Sequence, residues 1–113
     1  MRIPYEIELA AKEALKADDQ RQHRIGAVGI RSDGVVVRAK NGPALNLAPQ
    51  AHAETRLAKK LDVGSGVFVA RVSRLNKLVL AKPCPHCMRV LRSVGVRVVV
   101  FTTNDGIDSL QLN

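Results

Sequence analysis

The apolar residues follow two different periods along the chain, and these predict where helices and strands lie. From Tyr5 to Ala17 they recur every three or four positions, which indicates a helix. Short β-branched runs separated by turn residues indicate strands. The predicted order is a helix over 5–17, strands over 25–30 and 35–39, a helix over 53–61, a strand over 67–72, an extended segment over 79–81, a helix from about 84 to 94, and strands over 96–103 and 107–112. This order predicts a three-layer α/β/α fold around a mixed sheet of about five strands.

The turn N-D-G at residues 104–106 predicts how the chain ends. Asn-Asp-Gly between two apolar runs is a strong hairpin signal. Only about seven residues follow it, too few for the crossover that a parallel neighbour needs. We therefore expect Val98–Thr103 and Ile107–Leu112 to form an antiparallel hairpin.

Composition narrows the class of protein. The chain has 113 residues, 46% of them hydrophobic, which predicts a single folded domain over 1–113. It has no apolar run long enough to span a membrane. Glu6 and Glu8 interrupt the apolar core that a signal peptide would need, so we expect a cytoplasmic protein.

The charge balance bears on partners. Eighteen basic and ten acidic residues give a net charge of +8, which favours phosphate-bearing partners such as nucleotides or nucleic acid. However, the basic residues are scattered along the sequence, and the chain has only one Tyr, two Phe and no Trp on which bases could stack. Nucleic acid is therefore an open but not a favoured partner.

The only two cysteines lie three residues apart, in K-P-C-P-H-C. In a reducing compartment such a pair favours a metal or redox site over a structural disulfide. Cys84, Cys87, Met88 and Leu91 follow the helical period, so both sulfurs should point from a helix start toward the core. Two thiolates do not complete a tetrahedral zinc site, so a third ligand must come from elsewhere.

That ligand is available in A-H-A-E-T, where His52 lies at the start of the second predicted helix. Glu54, two residues on, shares an apolar stripe with Leu57, Ala58 and Leu61. A carboxylate near a core is costly unless it has a partner or a function, although a glutamate in a first helical turn is also stabilised by the helix dipole. One imidazole and two thiolates leave the fourth zinc position open, and three protein ligands are the number typical of a catalytic zinc site. Glu54 could then transfer protons in that site.

H-A-E followed by P-C-P-H-C resembles the H-x-E…P-C-x-x-C signature of zinc nucleobase deaminases. The chain resembles the cytidine deaminase-like superfamily over roughly residues 24–103. R-I-G-A-V is similar to the first-strand entry of deoxycytidylate deaminases, K-N-G-P to their substrate loop, and P-C-P-H-C-M-R-V-L-R to the cysteine helix of free cytidine deaminases. The resemblance implies one Zn²⁺ per chain on His52, Cys84 and Cys87, and a homodimer or homotetramer.

The same resemblance suggests substrate contacts. Asn41 precedes His52 by eleven residues, as does the ribose-contacting asparagine of cytidine deaminases and tRNA adenosine deaminases. Asn41, with Ala53 and Pro83 at the two helix starts, makes up the predicted substrate site. Pro43 stands where free cytidine deaminases place a glutamate, and Lys82 stands where they place a serine. The substrate contacts of those enzymes therefore cannot all be assigned to this chain.

The predicted function is hydrolytic deamination of a cytosine nucleoside or nucleotide (cytidine, deoxycytidine or deoxycytidylate). Glu54 would take a proton from water as hydroxide attacks C4, and would then deliver protons to N3 and the departing ammonia. Two alternatives stay open: a deaminase acting on cytosine or adenine in single-stranded DNA or RNA, and a non-catalytic binding module stabilised by zinc.

Overall fold

A computed structural model describes residues 4–16, 24–40, 53–73 and 75–112. Its helices are α1 (Tyr5–Ala14), α2 (Ala53–Ala58) and α3 (Pro85–Ser93). Its strands are β1 (Arg24–Ile30), β2 (Val36–Lys40), β3 (Gly66–Val72), β4 (Leu78–Val79), β5 (Val98–Thr103) and β6 (Gly106–Gln111). The predicted order of elements is confirmed, and within the described ranges no helix is both long and apolar enough to span a membrane.

The strands form one mixed sheet in the order β2-β1-β3-β5-β6, with the two-residue strand β4 pairing with β3. The β3–β5 pair is parallel and the chain between these strands contains α3, as a crossover requires. The other described pairs are antiparallel. The C-terminal hairpin is confirmed, with Val98 opposite Gln111 and Thr103 opposite Gly106.

The two faces of the sheet carry different helices, because successive strand residues point to opposite sides. Gly26 of β1 faces α1, where an added Cβ would lie 2.0 Å from the Ala10 carbonyl oxygen. Gly29 faces the opposite side, toward Leu57 and Leu61. The larger core lies on that second side, where α2 and α3 pack on the sheet through residues including Leu57, Val69, Leu91 and Phe101. The predicted three-layer arrangement is therefore observed.

Helix α2 is shorter than the predicted helix over 53–61. It ends at Ala58, and the chain then tightens into turns in which Lys60 N–H donates to Leu57 O (2.8 Å) and Leu61 N–H to Ala58 O (3.2 Å). The apolar stripe continues through these turns, since Leu61 still packs against the core. Periodicity alone therefore could not distinguish the end of the helix from the turns that follow it.

The segment that leads into α3 is tied to the sheet by Thr102. This threonine is fully buried in β5, and its hydroxyl donates to Val79 O (2.6 Å) and accepts from Arg71 N–H (3.2 Å). Its own carbonyl accepts from Ala81 N–H (2.9 Å). The short strand β4 and the residues after it are thereby held against β3 and β5, which fixes where α3 begins.

Candidate active site

The start of α3 brings both cysteine sulfurs together. Cys84 is the N-cap residue, with extended backbone angles, and Pro85 occupies the first helical position, where a missing N–H is tolerated. Cys87 N–H donates to Cys84 Sγ at 3.4 Å, as a capping side chain does. Cys87 is fully buried and Cys84 is partly buried. This burial agrees with the prediction that both sulfurs point from the helix start toward the core.

The two sulfurs are in contact but are not joined by a disulfide bond. The two Sγ atoms are 3.3 Å apart, whereas a disulfide bond measures about 2.05 Å, and both cysteines are free. Two sulfurs bound to one tetrahedral zinc ion at about 2.3 Å each would lie roughly 3.8 Å apart. An increase of about half an ångström in this separation would therefore match the spacing expected of two zinc ligands.

Glu54 lies in the first turn of α2 with its side chain inside the protein. It is 4% exposed and shares the core-facing side of the helix with Leu57 and Ala58. Its Oε1 atom is buried and has no hydrogen-bond partner within the described residues. Burial raises the pKa of the carboxyl from 4.5 to about 7, although its own backbone N–H and the Cys87 thiol lower it. The stripe predicted from the sequence is confirmed, and the carboxyl lies beside one of the two cysteines.

Thr55 is a neighbour of the sulfurs that the sequence analysis missed. It is buried, and its Oγ1 lies 3.5 Å from Cys87 Sγ. A hydroxyl at this position can donate a hydrogen bond to the Cys87 sulfur, which the Glu54 carboxyl also contacts. The only signal in the sequence is that a polar, β-branched residue follows Glu54 directly.

The structure describes only some of the other predicted site residues. Ala53 and Pro83 are both buried at the starts of α2 and α3. His52 and Asn41 lie outside the described residues. Among those that are described, no group of three His, Cys, Asp or Glu side chains is arranged to hold a metal ion.

The residues that are described nevertheless fit zinc. Two reduced thiols at a helix start supply soft ligands of the kind that zinc prefers. The buried Glu54 oxygen without a partner indicates that something polar belongs beside it, because buried polar groups are almost always hydrogen-bonded. A metal centre next to this carboxyl would supply such a partner.

Comparison with solved structures shows the same fold in cytidine deaminases. The chain is similar to the 1.6 Å crystal structure of cytidine deaminase from Burkholderia pseudomallei, with a TM-score of 0.67 and 20% identity over 99% of this chain and 94% of that one. It is also similar to cytidine deaminase from Mycobacterium leprae, with a TM-score of 0.55 and 18% identity over 90% of this chain and 87% of that one. No curated protein sequence matches the chain significantly.

A family comparison covers most of the chain. The family described as "Cytidine and deoxycytidylate deaminase zinc-binding region" matches residues 3–103, a range that contains both helix starts and the strands between them. Membership in this family supports deamination of cytidine-type substrates. Because this match covers most of the 113 residues, the chain belongs to the cytidine and deoxycytidylate deaminase family.

Proposed function

We propose that this chain is a zinc-dependent hydrolytic deaminase that converts a cytosine nucleoside or nucleotide to the uracil form and releases ammonia. His52, Cys84 and Cys87 would hold one zinc ion, and Glu54 would transfer protons. Asn41, Ala53 and Pro83 would contact the substrate. A homodimer or homotetramer stays a prediction.

One observation carries the proposal. A buried carboxyl with an unsatisfied oxygen lies next to a pair of reduced thiols at the start of another helix. An apolar core gains nothing from such a carboxyl, because an unsatisfied buried polar group costs about 1–3 kcal/mol. A binding module stabilised by zinc would need the sulfurs but not the carboxyl, so the arrangement favours an enzyme.

The chemistry follows from the properties of these side chains. Zinc, when bound, lowers the pKa of water and so provides a nucleophile near neutral pH. Burial raises the pKa of the Glu54 carboxyl to about 7, so this group can accept a proton from water and release it again near neutral pH. The buried position of Glu54 keeps bulk water from competing for the proton. Glu54 therefore suits both proton transfers, first to N3 of the base and then to the departing amine.

The substitution Glu54→Gln tests this role, because it keeps the shape of the side chain and removes its ability to carry the proton. We expect turnover of cytidine, deoxycytidine or deoxycytidylate to fall roughly 10²- to 10⁴-fold, the usual contribution of a general acid–base. Zinc content should stay near that of the parent. Chromatography of the products and metal analysis of the purified protein measure both quantities.

The control is Glu8→Gln, which changes the same residue type in the first turn of α1, where the side chain is exposed. A glutamate that only stabilises its helix contributes roughly 0.3–1 kcal/mol to folding and nothing to turnover. Glu8→Gln should therefore keep the turnover of the parent, with at most this small loss of stability. If Glu54→Gln retained activity within about threefold of the parent, far less than a general acid–base contributes, Glu54 would not be the proton carrier.

A further inference from the structure

Basic residues that are scattered along the sequence come together on one side of the fold. Between residues 53 and 60 every exposed side chain is cationic, and these are Arg56, Lys59 and Lys60. Together with Glu13, Ala39 and Lys40 they line a cleft of about 480 Å³ beside the edge strand β2. Glu54 lies on the opposite, buried side of α2. The outward side of α2 is therefore basic.

Helix α3 repeats this arrangement. Cys87 and Leu91 are buried, whereas Arg89 and Arg92 are exposed on the opposite side of the helix, and no residue of α3 is acidic. Helices α2 and α3 contact each other and pack on the same face of the sheet. Their outward sides therefore belong to one outer layer. We call its exposed cations the basic surface, which consists of Arg56, Lys59, Lys60, Arg89 and Arg92.

The protein does not neutralise the basic surface. Glu54, the one acidic residue of α2 and α3, is buried. The ion pairs among the described residues involve none of these five cations; they are Lys16–Glu13, Arg31–Asp33 and Arg31–Asp62. Helix α1, on the other face of the sheet, instead carries three glutamates and one lysine. Like charges gathered without counter-charges repel one another and disfavour the folded state, so the basic surface needs an explanation.

Contacts within the fold explain only part of this charge. Arg56 Nη1 and Lys60 Nζ donate to backbone carbonyls of β2, at 3.0 and 2.6 Å, and so cover the edge strand. Arg92 Nε donates to a carbonyl near the end of the chain at 3.2 Å. Each such bond removes one donor and no charge. Lys59 and Arg89 form no side-chain hydrogen bond or ion pair within the described ranges, so nothing in the fold accounts for their charges.

The surroundings of these cations favour a phosphate backbone over a membrane or a protein as the partner. Membrane-binding helices combine cations with apolar side chains that enter the bilayer, and the buried centre of a protein interface is apolar. The large apolar side chains that are exposed in the described part of the chain all lie outside α2 and α3: Tyr5, Leu15, Val35, Val36, Val63, Leu75 and Leu80. Guanidinium and ammonium groups match phosphate oxygens in charge and in hydrogen bonding.

The basic surface also lacks the side chains that read or stack bases. Neither α2 nor α3 contains Phe, Tyr or Trp. Contacts with phosphates alone carry no sequence information. We propose that the basic surface binds the phosphodiester backbone of a nucleic acid, independently of base sequence. Because Arg56 and Lys59 lie on the side of α2 opposite Glu54, this ligand is not the substrate of the candidate active site, and the inference does not rest on the proposed function.

The test compares the parent with the double variant Lys59→Gln/Arg89→Gln. A charge-matched control, Lys12→Gln/Lys77→Gln, removes two exposed cations that do not belong to the basic surface. Binding of a short, fluorescently labelled, thymine-only DNA strand is measured by anisotropy over a range of salt concentrations. This strand contains no cytosine, so it cannot be a substrate of the proposed reaction. The single variants Lys59→Gln and Arg89→Gln are measured alongside, and the melting temperature of every protein checks that it is folded.

We expect the parent to bind the strand with a Kd of roughly 10⁻⁴–10⁻⁶ M near physiological salt, as is usual for sequence-independent binding. The double variant should bind roughly tenfold more weakly or worse, since a hydrogen bond to a charged group contributes about that factor. The slope of its log affinity against log salt should be flatter by about 0.7 for each cation removed. The control should keep the slope of the parent, and a strand of mixed sequence should bind the parent with similar affinity.

The proposal is overturned if the parent does not bind the strand, or if the double variant and the control lose affinity equally. Displacement of the strand by free deoxycytidine would place it in the candidate active site and would also overturn the proposal. Binding to vesicles of anionic lipid through Lys59 and Arg89, without binding to DNA, would identify a membrane as the partner instead. Glu54→Gln should bind the strand as the parent does, so a failure of the deaminase assignment and a failure of this proposal are distinguishable.

Discussion

Cys87 has two oxygen-bearing neighbours that affect its sulfur in opposite directions. Burial, and then the Glu54 carboxylate, raise the pKa of the Cys87 thiol, whereas the Thr55 hydroxyl lowers it. The thiolate is the form that binds a metal, so a donor beside the sulfur favours binding. If Cys87 binds zinc as proposed, the Thr55 hydroxyl lies where it would orient this ligand and tune it.

We expect Thr55→Val to weaken zinc binding about 10- to 100-fold, the usual effect of removing such a partner. Valine keeps the β-branched shape and loses the hydroxyl that lies 3.5 Å from the sulfur. A competition titration against a chromophoric chelator measures the affinity. Thr55→Ser, which keeps a hydroxyl, should bind zinc nearly as the parent does. Equal affinities in the parent and the valine variant would limit Thr55 to a packing role.

The sequence predicts Glu54 better than Thr55 for a physical reason. Glu54 is a polar residue within a helical apolar stripe, so its burial can be deduced from the spacing of the apolar residues around it. The Thr55–Cys87 contact joins residues 32 positions apart on two different helices. No periodicity within one element contains that information, since it depends on how α2 and α3 pack.

Helix α1 depends on one close approach to the sheet. An added Cβ at Gly26 would lie 2.0 Å from Ala10 O and 2.5 Å from Ala14 N, both backbone atoms of α1. Backbone atoms cannot move aside as the end of a flexible side chain can. The absence of a side chain at Gly26 is therefore what allows α1 to pack directly on β1.

We expect Gly26→Ala to lower the free energy of unfolding by about 1–3 kcal/mol, as overpacking of a tight interface does. Gly66→Ala is the matched control, because an added Cβ there has no closer neighbour than Val98 Cγ1 at 3.7 Å. Its effect should be neutral, or stabilising by about 0.4–1 kcal/mol through a less flexible unfolded chain. Urea denaturation of both variants gives the comparison, and equal losses would contradict the proposed role of the close approach.

The elements themselves were largely predictable, and their pairing was only partly so. Tight turns such as N-D-G specify both partners of a hairpin, so the β5–β6 pairing followed from the sequence. The pairing of β4 with β3 did not, although an extended segment was predicted there. It depends on the Thr102 hydroxyl, which reaches Val79 O from 23 residues away.

The candidate site is built from several elements of the fold and belongs to none of them alone. The start of α2 supplies Glu54 and Thr55, and the start of α3 supplies both sulfurs. The segment before α3 is fixed by β3 and β5 through Thr102. Basic residues that are scattered in the sequence likewise come together in the fold, where Lys40, Arg56, Lys59 and Lys60 line one cleft beside β2.

This arrangement predicts that zinc and folding are coupled. A metal held between helix starts would join α2 to α3, and binding that occurs only in the folded state adds directly to stability. Removing zinc from the parent with a chelator should lower the melting temperature by several degrees, since about 1 kcal/mol corresponds to roughly 4 °C in a domain of slightly more than about 100 residues. Differential scanning calorimetry with and without the chelator measures the shift.

The variant Cys87→Ala distinguishes this coupling from a general effect of the chelator. It removes one of the proposed ligands, so it should be purified without the one zinc per chain expected of the parent, and its melting temperature should not respond to the chelator. Ser93→Ala, at an exposed position near the end of α3, should bind zinc and respond as the parent does. Zinc retained in full by Cys87→Ala would show that Cys87 is not a ligand. An unchanged melting temperature in a parent that has lost its zinc would show that the metal serves chemistry without supporting the fold.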